Sequence, residues 1–305
     1  EIRPPFARKW YRLFPDEGLM SGVQPIVSAG KVFVGTMKGV LHAMDARTGR
    51  DVWTYTAPQA ILHTCAAGGS AVVFGCADGR VYGLDANRGT LTWSIRTDAA
   101  VWNAPLIWDN LVLIGSRDGS LYAIDVERGD VRWKAATAGP LLSSPALDAK
   151  QNRAYIASED MHVYAFDLSD GIQRWRSPKL PGVSFRGYHP VVAPDGSVMV
   201  TVTPTLSLDS FEPVLMDMVR NVFGDFASWR HNKEENERLR EANFRRMAEP
   251  GSYEAQLDHI RKRLTSEPAY QTFFVLDPDT GRHKFVTPIV RSEERRVGKE
   301  CRLTC

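Results

Sequence analysis

Ala43-Met44-Asp45-Ala46-Arg47-Thr48-Gly49-Arg50-Asp51-Val52-Trp53 decides the fold, because close copies of it return down the chain at fixed spacing. Asp85, Gly89 and Trp93 repeat its frame. So do Asp125, Gly129 and Trp133, then Asp167, Gly171 and Trp175, and more weakly Asp277, Gly281 and Phe285. The first three aspartates lie 40 residues apart and the fourth 42 further on, while glycine stays at +4 and the aromatic at +8. A repeat of this length with β-type texture indicates an array of small sheets, each burying its faces only against its neighbours.

Outward from that stretch, each repeat carries four short apolar runs separated by turn residues. In the first they are expected near 23 to 28, 31 to 36, 39 to 45 and 51 to 56. The innermost runs keep phase through Pro25, Cys65, Pro105 and Pro145, each 40 residues apart. Proline is tolerated there because the innermost strand is a sheet edge. Asp45 and its counterparts are expected to accept backbone N–H groups of the following turn, and Gly49 and its counterparts to supply a positive φ. The tryptophan is expected to wedge against the next sheet. A catalytic reading of these aspartates is set aside, since chemistry needs one special carboxylate and these recur in every copy.

The pattern Ala-x-Asp-x-x-x-Gly-x-x-x-Trp, with Ser116-Arg-Asp-Gly119-Ser-Leu-Tyr-Ala before its third copy, resembles the tryptophan-docking motif of the PQQ-like (quinoprotein-type) β-propeller repeat family. The likeness covers residues 21 to 180 strongly and 185 to 203 with 272 to 290 more weakly. It implies an all-β chain, a β-propeller of four-stranded antiparallel blades, here about five and so an incomplete ring. The run Trp10-Tyr-Arg-Leu-Phe14 reads as a lone outer strand. The start at Glu1, with neither methionine nor signal peptide, reads as a cut front. Residues 291 to 305, holding five Lys/Arg and three Glu, resemble a translated sequencing adapter, and no function is read from them.

The fifth repeat is interrupted. Its first half, residues 185 to 203, is parted from its second half, 272 to 290, by a stretch of another periodicity. Phe211, Val214, Leu215, Met218, Val222, Phe226 and Trp229 follow helical spacing, and Tyr253, Leu257, Ile260 and Leu264 mark a second stripe. Residues 204 to 271 are therefore expected to form an α-helical insertion. The division is 1 to 203 for the first blades, 204 to 271 for the insertion, 272 to 290 for the rest of the fifth blade and 291 to 305 for the tail. The insertion leaves from the connection between second and third strands, which opens on the same face as the link from blade to blade. In family members that bind a ligand, this is the ligand face.

The formal charge of +2 resides in the tail, so residues 1 to 290 sum to zero and nothing points to nucleic acid. No apolar run reaches membrane-spanning length. Of four cysteines, Cys65 and Cys76 read as small buried residues, too far apart in a hairpin to pair. Function on a repeat scaffold belongs where the repeats differ. The residues just before the phase proline do differ, and His63, Trp102, Asn103, Arg186, Tyr188 and His189 are the binding candidates at the channel mouth. No catalytic or metal-ligating residue is assigned.

The resemblance implies two functional classes. One is a non-catalytic binding or scaffold propeller for a protein or small ligand, similar to the periplasmic lipoprotein that supports outer-membrane barrel assembly, and therefore periplasmic or extracellular. The alternative is a fragment of a PQQ-dependent alcohol or sugar dehydrogenase, in which Trp102 and Asn103 would imitate the quinone platform and a calcium ligand. That reading lacks the adjacent cysteine pair and an inner-strand Glu. The expectation is a binding module without cofactor, PQQ and calcium entering only under the alternative.

Overall fold

The computed structural model describes residues 9–203 and 272–285. They form five four-stranded antiparallel sheets, each with its strands in chain order. Blade 1 comprises β1 (Ile26–Ser28), β2 (Lys31–Gly35), β3 (Val40–Asp45) and β4 (Asp51–Thr56), and blade 2 comprises β5 (Ala66–Gly68), β6 (Ala71–Gly75), β7 (Arg80–Asp85) and β8 (Leu91–Arg96). Blade 3 holds β9 (Leu106–Trp108), β10 (Leu111–Gly115), β11 (Ser120–Asp125) and β12 (Val131–Ala136). Blade 4 holds β13 (Ala146–Asp148), β14 (Arg153–Ser158), β15 (His162–Asp167) and β16 (Gln173–Arg176). Blade 5 holds β17 (Val191–Val192), β18 (Val198–Thr201), β19 (Phe273–Leu276) and β20 (His283–Phe285). The helical insertion expected at 204 to 271 and the tail at 291 to 305 lie outside the described residues. Apart from Phe273 at the start of β19, the blades belong to one compact unit.

Alternate side chains of each middle strand point to opposite faces, so one strand serves two cores. Val72 and Phe74 of β6 pack with Phe33 and Leu41 of blade 1, whereas Val73 of the same strand packs with Val112 and Ile124 of blade 3. Leu113 and Trp133 meet Ile156 and Phe166 between blades 3 and 4, and Tyr155 and Trp175 meet Val198 and Phe274 between blades 4 and 5. These four apolar cores thus lie between blades, and no sheet buries both faces alone.

The repeated residues fix each of those junctions. Asp45 Oδ1 accepts the N–H groups of Arg47 and Thr48 at 3.0 and 2.9 Å, and Gly49 closes the turn at φ +70°. Asp85, Asp125 and Asp277 accept the same two turn amides, and Asp167 accepts the first of them, from Ser169. Every fourth strand is then bulged one residue before its aromatic: Ala43 faces Trp53, but Met44 faces Asp51. The same shift occurs before Trp93, Trp133, Trp175 and Phe285. A bulge sharpens local twist and re-aims the side chain beside it. Each indole thereby reaches the next blade, where Trp53, Trp93, Trp133 and Trp175 donate to the carbonyls of Ala86, Val126, Leu168 and Pro278 at 3.1, 2.9, 2.9 and 2.7 Å.

The run at 10 to 14 departs from expectation, because among the described residues it forms no strand. A strand is defined by a ladder partner, and none of the five described sheets includes it. Trp10 nevertheless treats blade 1 as Trp53 treats blade 2: its Nε1 donates to Ala46 O at 3.0 Å, and its ring covers Gly49. With Phe14 and Val23 it covers Val32, Val34 and Met44, the face of blade 1 that has no preceding described blade.

Candidate functional site

The inner strands start later than the apolar runs suggest. Each begins one residue after Pro25, Cys65, Pro105, Pro145 or Pro190, at Ile26, Ala66, Leu106, Ala146 and Val191, so the candidate residues lie on the approach to the strands instead of within them. Proline cannot donate to a ladder, and the polar residues before these positions bond sideways, in blade 2 as well, where Cys65 stands in for proline. Thr64 Oγ1 accepts from Gln24 N at 2.8 Å, and Ser144 Oγ accepts from Ala104 N at 2.9 Å, each tying two blades together. Ser143 donates to Ala157 O at 2.8 Å.

Asn103 is drawn into the same framework. It is buried, its Nδ2 donates to Leu141 O at 3.2 Å, and its Oδ1 accepts from Gly115 N at 3.2 Å. His63 is half-buried, with Nδ1 accepting from Thr64 N at 2.9 Å. Burial, and to a lesser degree the charge of His189, holds the His63 imidazolium below its ordinary pKa. His189 itself is exposed. Tyr188 N donates to Phe185 O at 2.9 Å.

Trp102 is the candidate that gathers others around it. It stands in the link from blade 2 to blade 3, and the guanidinium of Arg117 lies over its ring at 4.0 Å from the centroid. Arg117 was absent from the sequence-based set. It belongs to the turn between β10 and β11, whose first amide bonds back to the link: Arg117 N donates to Ala100 O at 3.1 Å. The counterparts Met37, Ala77 and Glu159 make the same bond to Gly18, Ala60 and Pro140. The second-to-third connections and the blade-to-blade links therefore share one face, and the variable residue of each turn stands beside the link. The signal that would have found Arg117 is that series read across blades.

The guanidinium of Arg186 also lies over the Trp102 ring, at 5.8 Å from the centroid. Its position is set by its neighbour Phe185, which is fully buried between blades 4 and 5 and whose N–H donates to Glu159 Oε1 at 2.9 Å. Both arginines are exposed, and among the described residues neither has an ion-pair partner. Trp102 Nε1 is buried without a hydrogen-bond partner among the described residues. Two guanidiniums about one indole make a positively charged aromatic platform suited to a carboxylate or another acceptor. No group of three or more metal-ligating side chains occurs among the described residues. Two shallow clefts, of about 490 and 360 Å³, lie elsewhere, one lined by Asp148, Lys150 and Asp195 and the other by Trp108, Asn110 and Arg132.

Five such sheets, four of them carrying an aspartate–glycine–tryptophan junction, define a β-propeller of PQQ-like repeats. The chain belongs to the family described as outer membrane protein assembly factor BamB, whose model matches residues 7–107 and 96–203. Among solved structures it is similar to BamB from Moraxella catarrhalis, at 25% identity and a TM-score of 0.47, over 61% of this chain and 57% of that one. It is also similar to the quinohemoprotein alcohol dehydrogenase ADHIIG from Pseudomonas putida HK5, at 20% identity and a TM-score of 0.50, over 63% of this chain and 40% of the enzyme. The quinohemoprotein alcohol dehydrogenase from Comamonas testosteroni matches at 19% identity and 0.49, over 65% and 44%. The chain thus spans little more than half of the first of these relatives and less than half of the two enzymes. Among curated proteins no sequence matches. No helix among the described residues is long and apolar enough to cross a membrane.

Proposed function

We propose that this propeller is a non-catalytic binding module that engages a protein partner or a small acidic ligand on the face carrying Trp102. The observation that carries this reading is the platform itself, an indole with the guanidiniums of Arg117 and Arg186 over its ring, neither of them in an ion pair among the described residues. The family's description, an assembly factor for outer membrane proteins, supports a protein partner and a periplasmic or extracellular setting. His63, Tyr188 and His189 complete the surface as hydrogen-bonding residues.

The dehydrogenase alternative fits the residues poorly. Asn103, which would have to ligate calcium, is buried with both ends of its amide bonded to backbone. The ring of Trp102, on which a quinone would stack, has Arg117 over it. Titrating the protein with PQQ and Ca²⁺ while recording quinone absorbance should show no saturable uptake. Stoichiometric uptake with calcium-dependent oxidation of an alcohol or sugar would reverse the assignment. In parallel, binding to an array of Asp/Glu-rich peptides should fall at least about tenfold in an Arg117→Glu/Arg186→Glu variant, since charge-assisted contacts of this kind contribute about 1.5–3 kcal/mol each.

A further inference from the structure

Blade 1 departs from its neighbours beneath the segment that precedes it. In blades 2, 3 and 4 a tyrosine of the third strand donates to the aspartate four residues earlier: Tyr82 to Asp78, Tyr122 to Asp118 and Tyr164 to Asp160, each at 2.6 Å. The corresponding residues of blade 1 are Lys38 and His42. His42 is buried, and its ring lies between two carboxylates, with Nε2 2.9 Å from Glu17 Oε2 and Nδ1 3.2 Å from Asp51 Oδ1. Arg12 donates to the other oxygen of Asp51 at 2.7 Å, and the Phe14 ring stands 5.0 Å from the imidazole.

The charged groups facing His42 are thus Glu17 from the preceding segment and Asp51 from β4, with Arg12 behind Asp51. Its register partners on β2 and β4, Val34 and Thr54, are uncharged. Burial alone would raise the Glu17 carboxyl, but hydrogen bonds from His42 and Thr36 and the nearby charges hold it below its ordinary range. Arg12, Asp51, His42 and Glu17 alternate in sign only while His42 is protonated. An imidazolium donates from both nitrogens, whereas a neutral ring donates from one and turns a lone pair toward the other carboxylate.

We infer that His42 is a proton-operated latch that holds residues 14–20 on blade 1. With the proton lost, this segment loosens over Val32, Val34 and Met44, while Trp10 stays seated on Gly49. The latch is independent of the Trp102 platform. Two amides report it: Gly18 N donates to Phe14 O at 3.1 Å, and Met37 N donates to Gly18 O at 3.0 Å. Blade 2 supplies an internal control, since Ala77 N makes the equivalent bond to Ala60 O at 3.0 Å beside a tyrosine–aspartate pair.

The test is amide exchange on the whole chain between pH 5 and 8, corrected for intrinsic rates. Protection of Gly18 and Met37 should fall about tenfold as His42 loses its proton, the effect of losing one charge-assisted hydrogen bond, while Ala77 stays level. His42→Gln should remove the pH step, leaving protection low throughout. Glu17→Gln, which keeps the buried ring and is the milder change to the fold, should flatten the step as well. A level profile in the wild type, or a step that survives in either variant, overturns the latch.

Discussion

Gly129 shows how the junction works at the scale of one residue. It lies at φ +76°, and a β-carbon added to it would stand 2.6 Å from Cγ of Trp93. The left-handed conformation alone penalises an L-residue by roughly 1–2 kcal/mol. Contact with a rigid, buried indole adds to that, because Trp93 is also pinned through Nε1 to Val126 O at 2.9 Å. Gly129→Ala should therefore lower unfolding free energy by more than about 2 kcal/mol. Trp93→Ala should lower it by about 3–5 kcal/mol. Chemical denaturation of both variants checks this; a Gly129→Ala protein as stable as the parent would mean that the indole can move aside.

At the scale of the element, the turn entering the third strand of blades 2, 3 and 4 carries its own stabilising pair. Tyr122 donates to Asp118, and Lys134 lies 5.0 Å from the centre of the tyrosine ring and reaches Asp98 at 3.0 Å. Burial raises the Tyr122 phenol to about 12, helped by the Asp118 charge. Burial opposes ionisation of Asp118 too, yet the bonds from Tyr122, Asp98 N and Ser120 N outweigh it and leave its pKa lowered. A carboxyl whose folded pKa lies below its unfolded value stabilises above the unfolded value, near 3.9, and loses that contribution as pH falls through the folded one. Tyr122→Phe should thus cost about 1.5–3 kcal/mol at neutral pH. It should also weaken the acid dependence of stability below about pH 4. Denaturation midpoints from pH 2 to 7 decide this, and an unchanged slope with pH would remove Asp118 from the account.

How far the sequence revealed these elements follows from what each one requires. The blades were legible because Asp, Gly and Trp each serve a local turn or one adjacent surface at fixed spacing. The bulge before every aromatic was not, since it changes no spacing, only which residues face each other. The bonds of Asn103, Ser143 and Thr64 were not legible, because their backbone partners lie far off in sequence, as Leu141 does for Asn103. The platform was half legible. Trp102 and Arg186 break the repeat in the links themselves, whereas Arg117 breaks it in a turn whose neighbour only the fold identifies.

Across the whole molecule, stability should propagate only between adjacent blades. β1 touches β5, β5 touches β9 and β13 touches β17, and the cores between blades 1 and 2 and between blades 3 and 4 share no residue. In such an array the energy is a sum of blade terms and nearest-neighbour terms. Trp53 crosses the first of these junctions and Trp133 the third. Their replacements by alanine should therefore add within about 0.5 kcal/mol, while Trp93→Ala and Gly129→Ala, which disrupt one contact from its two sides, should be non-additive by more than that. Amide exchange resolved by blade gives the sharper reading: Trp133→Ala should speed exchange in β10, β11, β14 and β15 and leave β2 and β3 at their parental rates. If β2 and β3 open together with blades 3 and 4, the blades melt as one cooperative body, and a nearest-neighbour description of this propeller is wrong.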